Sequence, residues 1–194
     1  MLKFLYGTMA SGKSLHLLST AYNLKENGIR YQLIKPAIDT RTEGTIKSRI
    51  GVEHYCTTVE STDNIYEFID PTVKWILIDE AQFLTAEQVN TLGFMVDKND
   101  INVLCYGLRT DYLTKLFEGS KRLFEIADEI VELPSYCECG NKTSVNAKID
   151  ADGDIDLSEG EQIEIGGDER YKAVCRECFF DKVFGIENSE IDEQ

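Results

Sequence analysis

A phosphate-binding loop is the clearest chemical signal in the sequence. Residues 7–14 read Gly-Thr-Met-Ala-Ser-Gly-Lys-Ser, which matches the pattern Gly, four residues, Gly-Lys-Ser. An apolar segment, residues 2–6, precedes the loop, and apolar residues at helical spacing follow it. A strand that turns into a helix at such a loop directs backbone N–H groups and the positive end of the helix dipole into one hollow. Lys13 can then reach the β- and γ-phosphates, and the Ser14 hydroxyl can ligate Mg²⁺.

The sequence therefore predicts a nucleoside triphosphate site. The alternative, a Gly/Ser turn that happens to contain a lysine, is disfavoured because the strand, loop and helix signals agree.

Two adjacent carboxylates form a second signal. Residues 73–78 read as a buried strand, and Asp79 and Glu80 stand at its carboxyl end. In a protein with a phosphate loop, an acid at this place orders Mg²⁺ and its waters. Adjacent side chains at the end of a strand point in different directions. We therefore assign Asp79 to Mg²⁺ and Glu80 to the acceptor substrate, against the alternative of a solvated strand end.

Four cysteines in two close pairs predict a structural Zn²⁺ site. Cys137 and Cys139 form the first pair, and Cys175 and Cys178 form the second. Four thiolates can complete a tetrahedral Zn²⁺ site and leave no position for a bound water, so the metal is expected to be structural. The first pair has one intervening residue where two are commoner, which leaves its geometry open. Four unligated thiols are the alternative.

Composition limits the partners of the chain. Its 194 residues carry a net charge of −15, from 35 acidic and 20 basic side chains. Such a surface repels the phosphates of nucleic acids and anionic lipids, so neither nucleic acid nor a membrane is an expected partner. No apolar run approaches the roughly 18–20 residues that span a bilayer, and the N-terminal residues are not expected to form a signal peptide, because they lack a long apolar region and a small-residue cleavage site. A cytoplasmic location is therefore expected, where cysteines are reduced and close pairs favour metal over disulfides.

The elements that must position these residues alternate along the chain. Strands are predicted at residues 2–6, 31–35, 73–78, 101–106 and 127–133, and helices after the phosphate loop, at 63–70 and from 86 to about 96. This alternation gives a parallel sheet with helices on both faces, so the predicted fold class is an α/β, RecA-like P-loop core. Residues 37–53 are expected to form a loop, which is either a solvated connection or functional.

The character of the chain changes after residue 133, and this change predicts three parts. Residues 1–133 form a nucleotide-binding α/β domain, residues 134–184 a small zinc-binding subdomain, and residues 185–194 an acidic tail that is expected to be disordered. The acidic stretch 150–156 is predicted to be a turn because no helices flank it, as they would a Ca²⁺ loop.

Taken together, these motifs resemble the type II thymidine kinase family, the small cytosolic kind. The resemblance spans residues 1 to about 183. It rests on the phosphate loop, Asp39-Thr40-Arg41, Asp79-Glu80-Ala81-Gln82-Phe83, Tyr106-Gly107-Leu108-Arg109-Thr110-Asp111, both cysteine pairs, and Ile165-Gly166-Gly167 with Tyr171. It implies transfer of the γ-phosphoryl group of ATP to the 5′-hydroxyl of thymidine, or of deoxyuridine, with Mg²⁺.

The resemblance also implies residue roles. Glu80 would be the general base that takes the 5′-hydroxyl proton, and a zinc-tethered loop would fold over the thymine and read it largely with backbone groups. The side that binds ATP and Mg²⁺ would comprise Gly7, Thr8, Met9, Ala10, Ser11, Gly12, Lys13, Ser14, Asp39, Arg41, Asp79 and Gln82. The thymidine side would comprise Met9, Phe83, Leu108, Tyr112, Phe117, Gln162, Ile163, Glu164, Ile165, Gly166 and Tyr171.

The sequence alone leaves the roles of Tyr112 and Phe117 open, and Asn146 departs from the family pattern. Without the resemblance, Tyr112 and Phe117 are as readily packing residues as pocket residues. Asn146 stands where the family has a loop threonine near the thymine, so that contact is expected to differ. Members of the family are commonly homotetramers that dTTP, the end product, inhibits.

Three other classes of protein fit parts of the pattern. A nucleic-acid-dependent P-loop ATPase also carries Asp-Glu after a strand, but this chain is short for two such lobes and is acidic. A guanine-nucleotide switch would require an Asn-Lys-x-Asp run, which the sequence lacks. A zinc-ribbon binding module with a vestigial phosphate loop is disfavoured by the intact Lys13 and Ser14.

Overall fold

A parallel sheet of six strands organises the computed structural model, which describes residues 1–40, 44–151, 153–158 and 170–185. The strands are β1 Leu2–Tyr6, β2 Tyr31–Pro36, β3 Thr45–Lys47, β4 Glu53–Tyr55, β5 Thr57–Val59, β6 Trp75–Ile78, β7 Asn102–Gly107, β8 Glu129–Glu132, β9 Val145–Lys148 and β10 Tyr171–Val174. The helices are α1 Lys13–Glu26, α2 Ala86–Asn99, α3 Glu118–Ile126 and α4 Arg176–Phe184, with 3₁₀ turns at Ile65–Phe68 and Ala81–Phe83.

The order of strands in the sheet brings the two predicted motifs to the same edge. The order is β5-β2-β6-β7-β1-β8, and all neighbours are parallel. The phosphate loop leaves the carboxyl end of β1, and Asp79 and Glu80 leave the carboxyl end of β6, with β7 between them. Ligands of open α/β sheets bind at this edge.

Alternation along the strands produces one core on each face of the sheet. Phe4 and Ile76 face α2 and α3, whereas their neighbours Leu5 and Leu77 face α1. Successive side chains of a strand point to opposite faces, so a strand buried on both faces reads as a continuous apolar run. The predicted fold class, a parallel sheet with helices on both faces, is confirmed.

Local signals set the start of α2 as the sequence predicts, whereas the helix continues to Asn99, beyond the predicted end near residue 96. Thr85 accepts a hydrogen bond from the Gln88 N–H at 3.2 Å, and the Gln88 side chain accepts one from the Thr85 N–H at 3.1 Å. This capping box satisfies two N–H groups that have no partner within the helix.

The prediction of a loop throughout residues 37–53 is wrong. Thr45–Lys47 and Glu53–Tyr55 pair as a short antiparallel hairpin, in which Ile46 is buried. Strands of three residues with a single buried apolar side chain are too short to show the period of two. Strand β5 and helix α3 were not predicted either: β5 has three residues, and the buried face of α3 is formed by Gly119, Ser120 and Leu123.

A small second layer follows β8. Strands β9 and β10 form an antiparallel pair against α4, and their buried residues include Val145, Ala147, Val174 and Phe179. The chain reverses between Ile149 and Ile155, which form an isolated antiparallel bridge at the predicted turn. Of the predicted acidic tail, residues 186–194 lie outside the described residues. None of the described helices has the length and apolar character needed to cross a membrane.

Candidate active site

The phosphate loop is built on backbone contacts that only glycine permits. Gly7 donates its N–H to the Gly107 carbonyl at 3.2 Å as the chain leaves β1. A Cβ atom at Gly7 would lie 2.5 Å from the Leu133 carbonyl oxygen, so a larger residue would displace the loop. Gly12 adopts φ 78° immediately before α1, and no side chain caps the helix there. The N–H groups of the first turn are therefore left for an anion.

Lys13 lies folded over this loop. Its ammonium group donates to the Thr8 carbonyl at 2.7 Å and to the Gly7 carbonyl at 3.2 Å, and the side chain is buried. These bonds hold the Lys13 ammonium group beside the phosphate loop, next to the first turn of α1. An anion placed there would meet both the charge and the helix terminus.

Asp79 and Ser14 form a second polar centre beside the loop. The Ser14 hydroxyl donates to Asp79 Oδ2 at 2.8 Å. The other carboxylate oxygen, Oδ1, is buried and has no hydrogen-bond partner among the described residues. Burial and then the charge of Glu80 raise the pKa of Asp79 to about 7, although the Ser14 hydrogen bond and the Lys13 charge oppose them. Carboxylate and hydroxyl oxygens with an unsatisfied lone pair fit a Mg²⁺ site.

Glu80 follows in an uncommon backbone conformation. Its φ of 52° and ψ of 37° place a residue other than glycine in the left-handed region, and its side chain is half-buried. The Gln82 amide nitrogen donates to Glu80 Oε2 at 2.6 Å, and the Gln82 amide oxygen accepts from the Leu108 N–H at 2.9 Å. Strain of this kind concentrates at functional sites.

A cavity of about 590 Å³ opens next to these groups. One end is polar and contains Lys13, Asp79 and Glu80. The other end is aromatic: Phe83 and Phe117 meet edge to face with ring centroids 5.7 Å apart. This volume falls within the range of small-molecule sites. The arrangement can hold a charged group at one end and a flat, partly apolar group at the other.

The structure gathers most of the predicted site residues at this cavity. Those that line it are Met9, Ala10, Gly12, Lys13, Ser14, Asp39, Asp79, Glu80, Gln82, Phe83, Leu108, Tyr112, Phe117 and Tyr171. Gly7, Thr8 and Ser11 belong to the phosphate loop but do not line the cavity. Six predicted residues lie outside the described residues: Arg41, Gln162, Ile163, Glu164, Ile165 and Gly166.

Sequence reasoning missed part of the lining. Lys35 is buried at the end of β2 and contacts the Asp39 carboxylate at 3.4 Å. A charged side chain inside an apolar strand was the signal that could have identified it. The segment from Thr45 to Ile50 also lines the cavity, which favours a functional part for the loop whose role the sequence left open.

Asn146 contacts the phosphate loop. Its side-chain oxygen accepts the Met9 N–H at 2.7 Å, and the residue is buried and lines the cavity. Because a backbone N–H only donates, the contacting atom is the amide oxygen. The Asn146 NH₂ group has no acceptor among the described residues.

Three hydroxyl groups join the phosphate loop to the start of the second layer. Thr8 Oγ1 lies 2.7 Å from both Ser135 Oγ and Thr143 Oγ1, and the latter two lie 2.6 Å apart. Ser135 and Thr143 flank the first cysteine pair in the chain. The loop and the predicted zinc subdomain are therefore in direct contact.

The four predicted cysteines come together. The sulfur atoms of Cys137, Cys139, Cys175 and Cys178 all lie within 4.8 Å of one another. The close first pair is accommodated by a turn in which the Gly140 N–H donates to the Cys137 carbonyl at 2.9 Å. Four sulfurs at this separation fit a tetrahedral Zn²⁺ ion with Zn–S bonds of about 2.3 Å.

Comparison with known proteins gives the family. A family model described as "Thymidine kinase" matches residues 1–179. The chain belongs to the thymidine kinase family. The resemblance predicted from the motifs is thereby confirmed, and the protein is a kinase.

Relatives named thymidine kinase match almost the whole chain. That of Shewanella oneidensis is 44% identical over 92% of this chain and 95% of its own. That of Legionella pneumophila strain Paris is 48% identical over 90% and 87%. That of Rhodopirellula baltica is 40% identical over 98% and 92%. Family membership concerns the chain as a whole, and the role of each site residue stays a prediction.

Proposed function

We propose that the protein transfers the γ-phosphoryl group of ATP to the 5′-hydroxyl of thymidine, and also of deoxyuridine, as a salvage step that supplies DNA precursors. One observation carries this proposal: a single cavity is bounded by the phosphate loop, the Asp79–Glu80 pair and a cluster of aromatic side chains. A triphosphate and a nucleoside could meet there with the Glu80 carboxylate beside the acceptor hydroxyl.

The phosphate end supplies positive charge in fixed positions. The amides at the start of α1 and the Lys13 ammonium would bind the β- and γ-phosphates. Asp79 and Ser14 would hold Mg²⁺, which neutralises negative charge on the phosphates when it is bound. The unpartnered Asp79 Oδ1 supports this assignment, because a buried carboxylate oxygen without a donor is costly unless a ligand satisfies it.

Glu80 would act as the general base. As the 5′-oxygen bonds to the γ-phosphorus, its proton passes to the Glu80 carboxylate, and the bond from that phosphorus to the bridging oxygen of ADP breaks. The products are dTMP and ADP, so charge and atoms balance. A general base contributes about 10²–10⁴-fold to such a step.

The aromatic end would hold the thymine. Phe83, Phe117 and Tyr112 offer flat surfaces, and Met9 and Leu108 close the lining between them and the phosphate loop. An apolar pocket distinguishes the 5-methyl group only weakly, whereas unpaired polar groups reject a wrong ring strongly. We therefore assign selectivity against cytosine to hydrogen bonds, from the backbone near residues 162–166 and from the Asn146 amide.

Family membership supports three finer proposals. The four-cysteine cluster would hold a structural Zn²⁺ ion, the chain would assemble as a homotetramer, and dTTP would inhibit it. Zinc analysis, light scattering of the purified protein and titration with dTTP test them in turn.

The deciding experiment is a transfer assay. Purified protein with labelled ATP and Mg²⁺ is offered each of the four common deoxynucleosides and deoxyuridine. We expect label on thymidine and deoxyuridine. Phosphate release stimulated by DNA, with no label on thymidine, would instead support a nucleic-acid-dependent ATPase.

The Glu80→Gln variant tests the catalytic assignment. It keeps the size of the side chain and removes the proton acceptor, so ATP binding is expected to be retained while turnover falls by about 10²–10⁴-fold. Turnover equal to that of the wild type would refute the role of Glu80.

A further inference from the structure

Gln82 is bonded at both ends of its side chain. It lies in the 3₁₀ turn that follows Glu80 and is 1% exposed. Its amide contacts the Glu80 carboxylate at 2.6 Å and the Leu108 N–H at 2.9 Å. A buried glutamine that makes both bonds loses most of its rotational freedom.

The Leu108 contact fixes which end of the amide faces Glu80. A backbone N–H only donates, so the atom next to Leu108 must be the amide oxygen. The NH₂ group of Gln82 therefore faces Glu80 Oε2 and donates to it. Hydrogen bonds to an ionised acceptor are shorter and stronger than those between neutral groups.

Two glycines, Gly107 and Gly119, allow neighbouring elements to pack closely against this turn. A Cβ atom at Gly107 would lie 2.8 Å from the Gln82 amide oxygen and 3.0 Å from its backbone nitrogen. A Cβ atom at Gly119 would lie 2.6 Å from the Ala81 and Leu84 carbonyl oxygens. Strand β7 and helix α3 thus pack directly against the turn, and Gln82 has little room to move.

We propose that Gln82 is a positioning residue for the phosphoryl transfer. It holds the Glu80 carboxylate in place and connects it to Leu108, a residue of the nucleoside end of the cavity. The inference rests on the proposed role of Glu80 as general base. The family resemblance implied a nucleotide-binding role for Gln82, whereas its side-chain hydrogen bonds are with Glu80 and Leu108.

The expected effect follows from the geometry. A glutamate side chain has three rotatable bonds, and the 2.6 Å bond removes much of that freedom at the carboxylate. A displacement of about 1 Å in a reacting group can cost about 10²-fold. Loss of the Gln82 bond is therefore expected to slow the transfer step by about 10–100-fold and to change the KM values little.

A matched control exists in the same region. Gln88 is also buried, and its amide also bridges backbone groups, donating to the Glu60 carbonyl at 2.8 Å and accepting from the Thr85 N–H at 3.1 Å. Its hydrogen bonds are with Thr85, Glu60 and Asp63, and none reaches Glu80 among the described residues. Gln82→Met and Gln88→Met remove the same groups from similarly buried sites.

The experiment measures the single-turnover rate of transfer to thymidine, the KM values and the melting temperature. Both variants are expected to lose thermal stability, but only Gln82→Met slows transfer by about 10–100-fold. Gln82→Asn keeps an amide in the turn but is too short to bridge both partners, and it provides a second variant with the same expected result. Equal rates in the Gln82 and Gln88 variants would overturn the proposal.

A double substitution separates positioning from a general structural role. If Gln82 acts through Glu80, Gln82→Met is expected to change the residual rate of Glu80→Gln by less than about twofold, since the base is already absent. Effects that multiply in the double variant would overturn the proposal. A wild-type protein that does not phosphorylate thymidine, or a Glu80→Gln variant that is as fast as the wild type, would refute the proposed function itself, and these outcomes are independent of Gln82.

Discussion

Replacement of Asp79 by asparagine is expected to stabilise the ligand-free protein at neutral pH and to remove most of its activity. In the folded protein, burial and the nearby charge of Glu80 raise the pKa of this carboxyl to about 7, from an ordinary value of 3.8. Between these values the folded state holds one proton more than the unfolded state. The free energy of unfolding of the wild type therefore falls as the pH rises, whereas asparagine contributes no such dependence.

The magnitude follows from the two pKa values. A tenfold change in an ionisation constant corresponds to about 1.4 kcal/mol, so the advantage of Asp79→Asn over the wild type is expected to grow by about 2.5 kcal/mol between pH 5 and pH 8. Urea unfolding of both proteins at four pH values, with zinc present but without Mg²⁺ or nucleotide, measures this difference. Groups that have the same pKa values in both proteins contribute equally to the two free energies of unfolding, so their contributions cancel in the difference.

Asp70→Asn serves as the control. Hydrogen bonds from the backbone N–H and then the hydroxyl of Thr72 lower the pKa of this exposed carboxyl. Its stabilising effect is thus almost fully present above about pH 5, one unit above the ordinary value of 3.8, and the difference between Asp70→Asn and the wild type should stay nearly constant from pH 5 to pH 8. A difference that is equally constant for Asp79→Asn would refute the reasoning, since it would mean that Asp79 is ionised without a bound cation.

Two further predictions concern the second layer. Cys139→Ser is expected to lower bound zinc from about one ion per chain towards zero, because it removes one of four thiolates; Cys56→Ser, outside the cluster, should retain the metal, and metal analysis of both proteins tests this. Asn146→Ala is expected to lower the free energy of unfolding by about 1–3 kcal/mol, because the Met9 N–H loses its acceptor. Urea unfolding of Asn146→Ala and of the control Asn141→Ala, at an exposed site, measures this value. An equal loss of unfolding free energy in the two variants would contradict the prediction.

The parts of the fold that the sequence predicts are those with short-range signals. The phosphate loop and the strand before Asp79 are recognisable because spacing and apolar runs within about ten residues define them. The β3–β4 hairpin was missed because Ile46 is its one buried apolar residue. Helix α3 was missed because it buries Gly119 and Ser120 beside Leu123, which is a weak apolar stripe.

The contacts that refine the site are long-range and polar, and they leave no pattern in one sequence. The Gln82–Leu108 hydrogen bond joins residues 26 positions apart, and the Met9–Asn146 bond joins residues 137 positions apart. The motifs identify which residues belong to the site. Only the packing of β7 and α3 against the turn at Ala81–Phe83 shows that Gln82 is held against Glu80.

The three hydroxyl groups of Thr8, Ser135 and Thr143 would couple the proposed zinc site to the proposed nucleotide site. Disorder in the four-cysteine cluster would also disturb Ser135 and Thr143, which contact the phosphate loop through Thr8. Coupling between two binding sites is reciprocal, so a bound triphosphate should in turn raise the affinity for the ion. At equilibrium, a chelator would then remove less zinc from protein saturated with ATP, and protein without zinc would bind the phosphate donor more weakly.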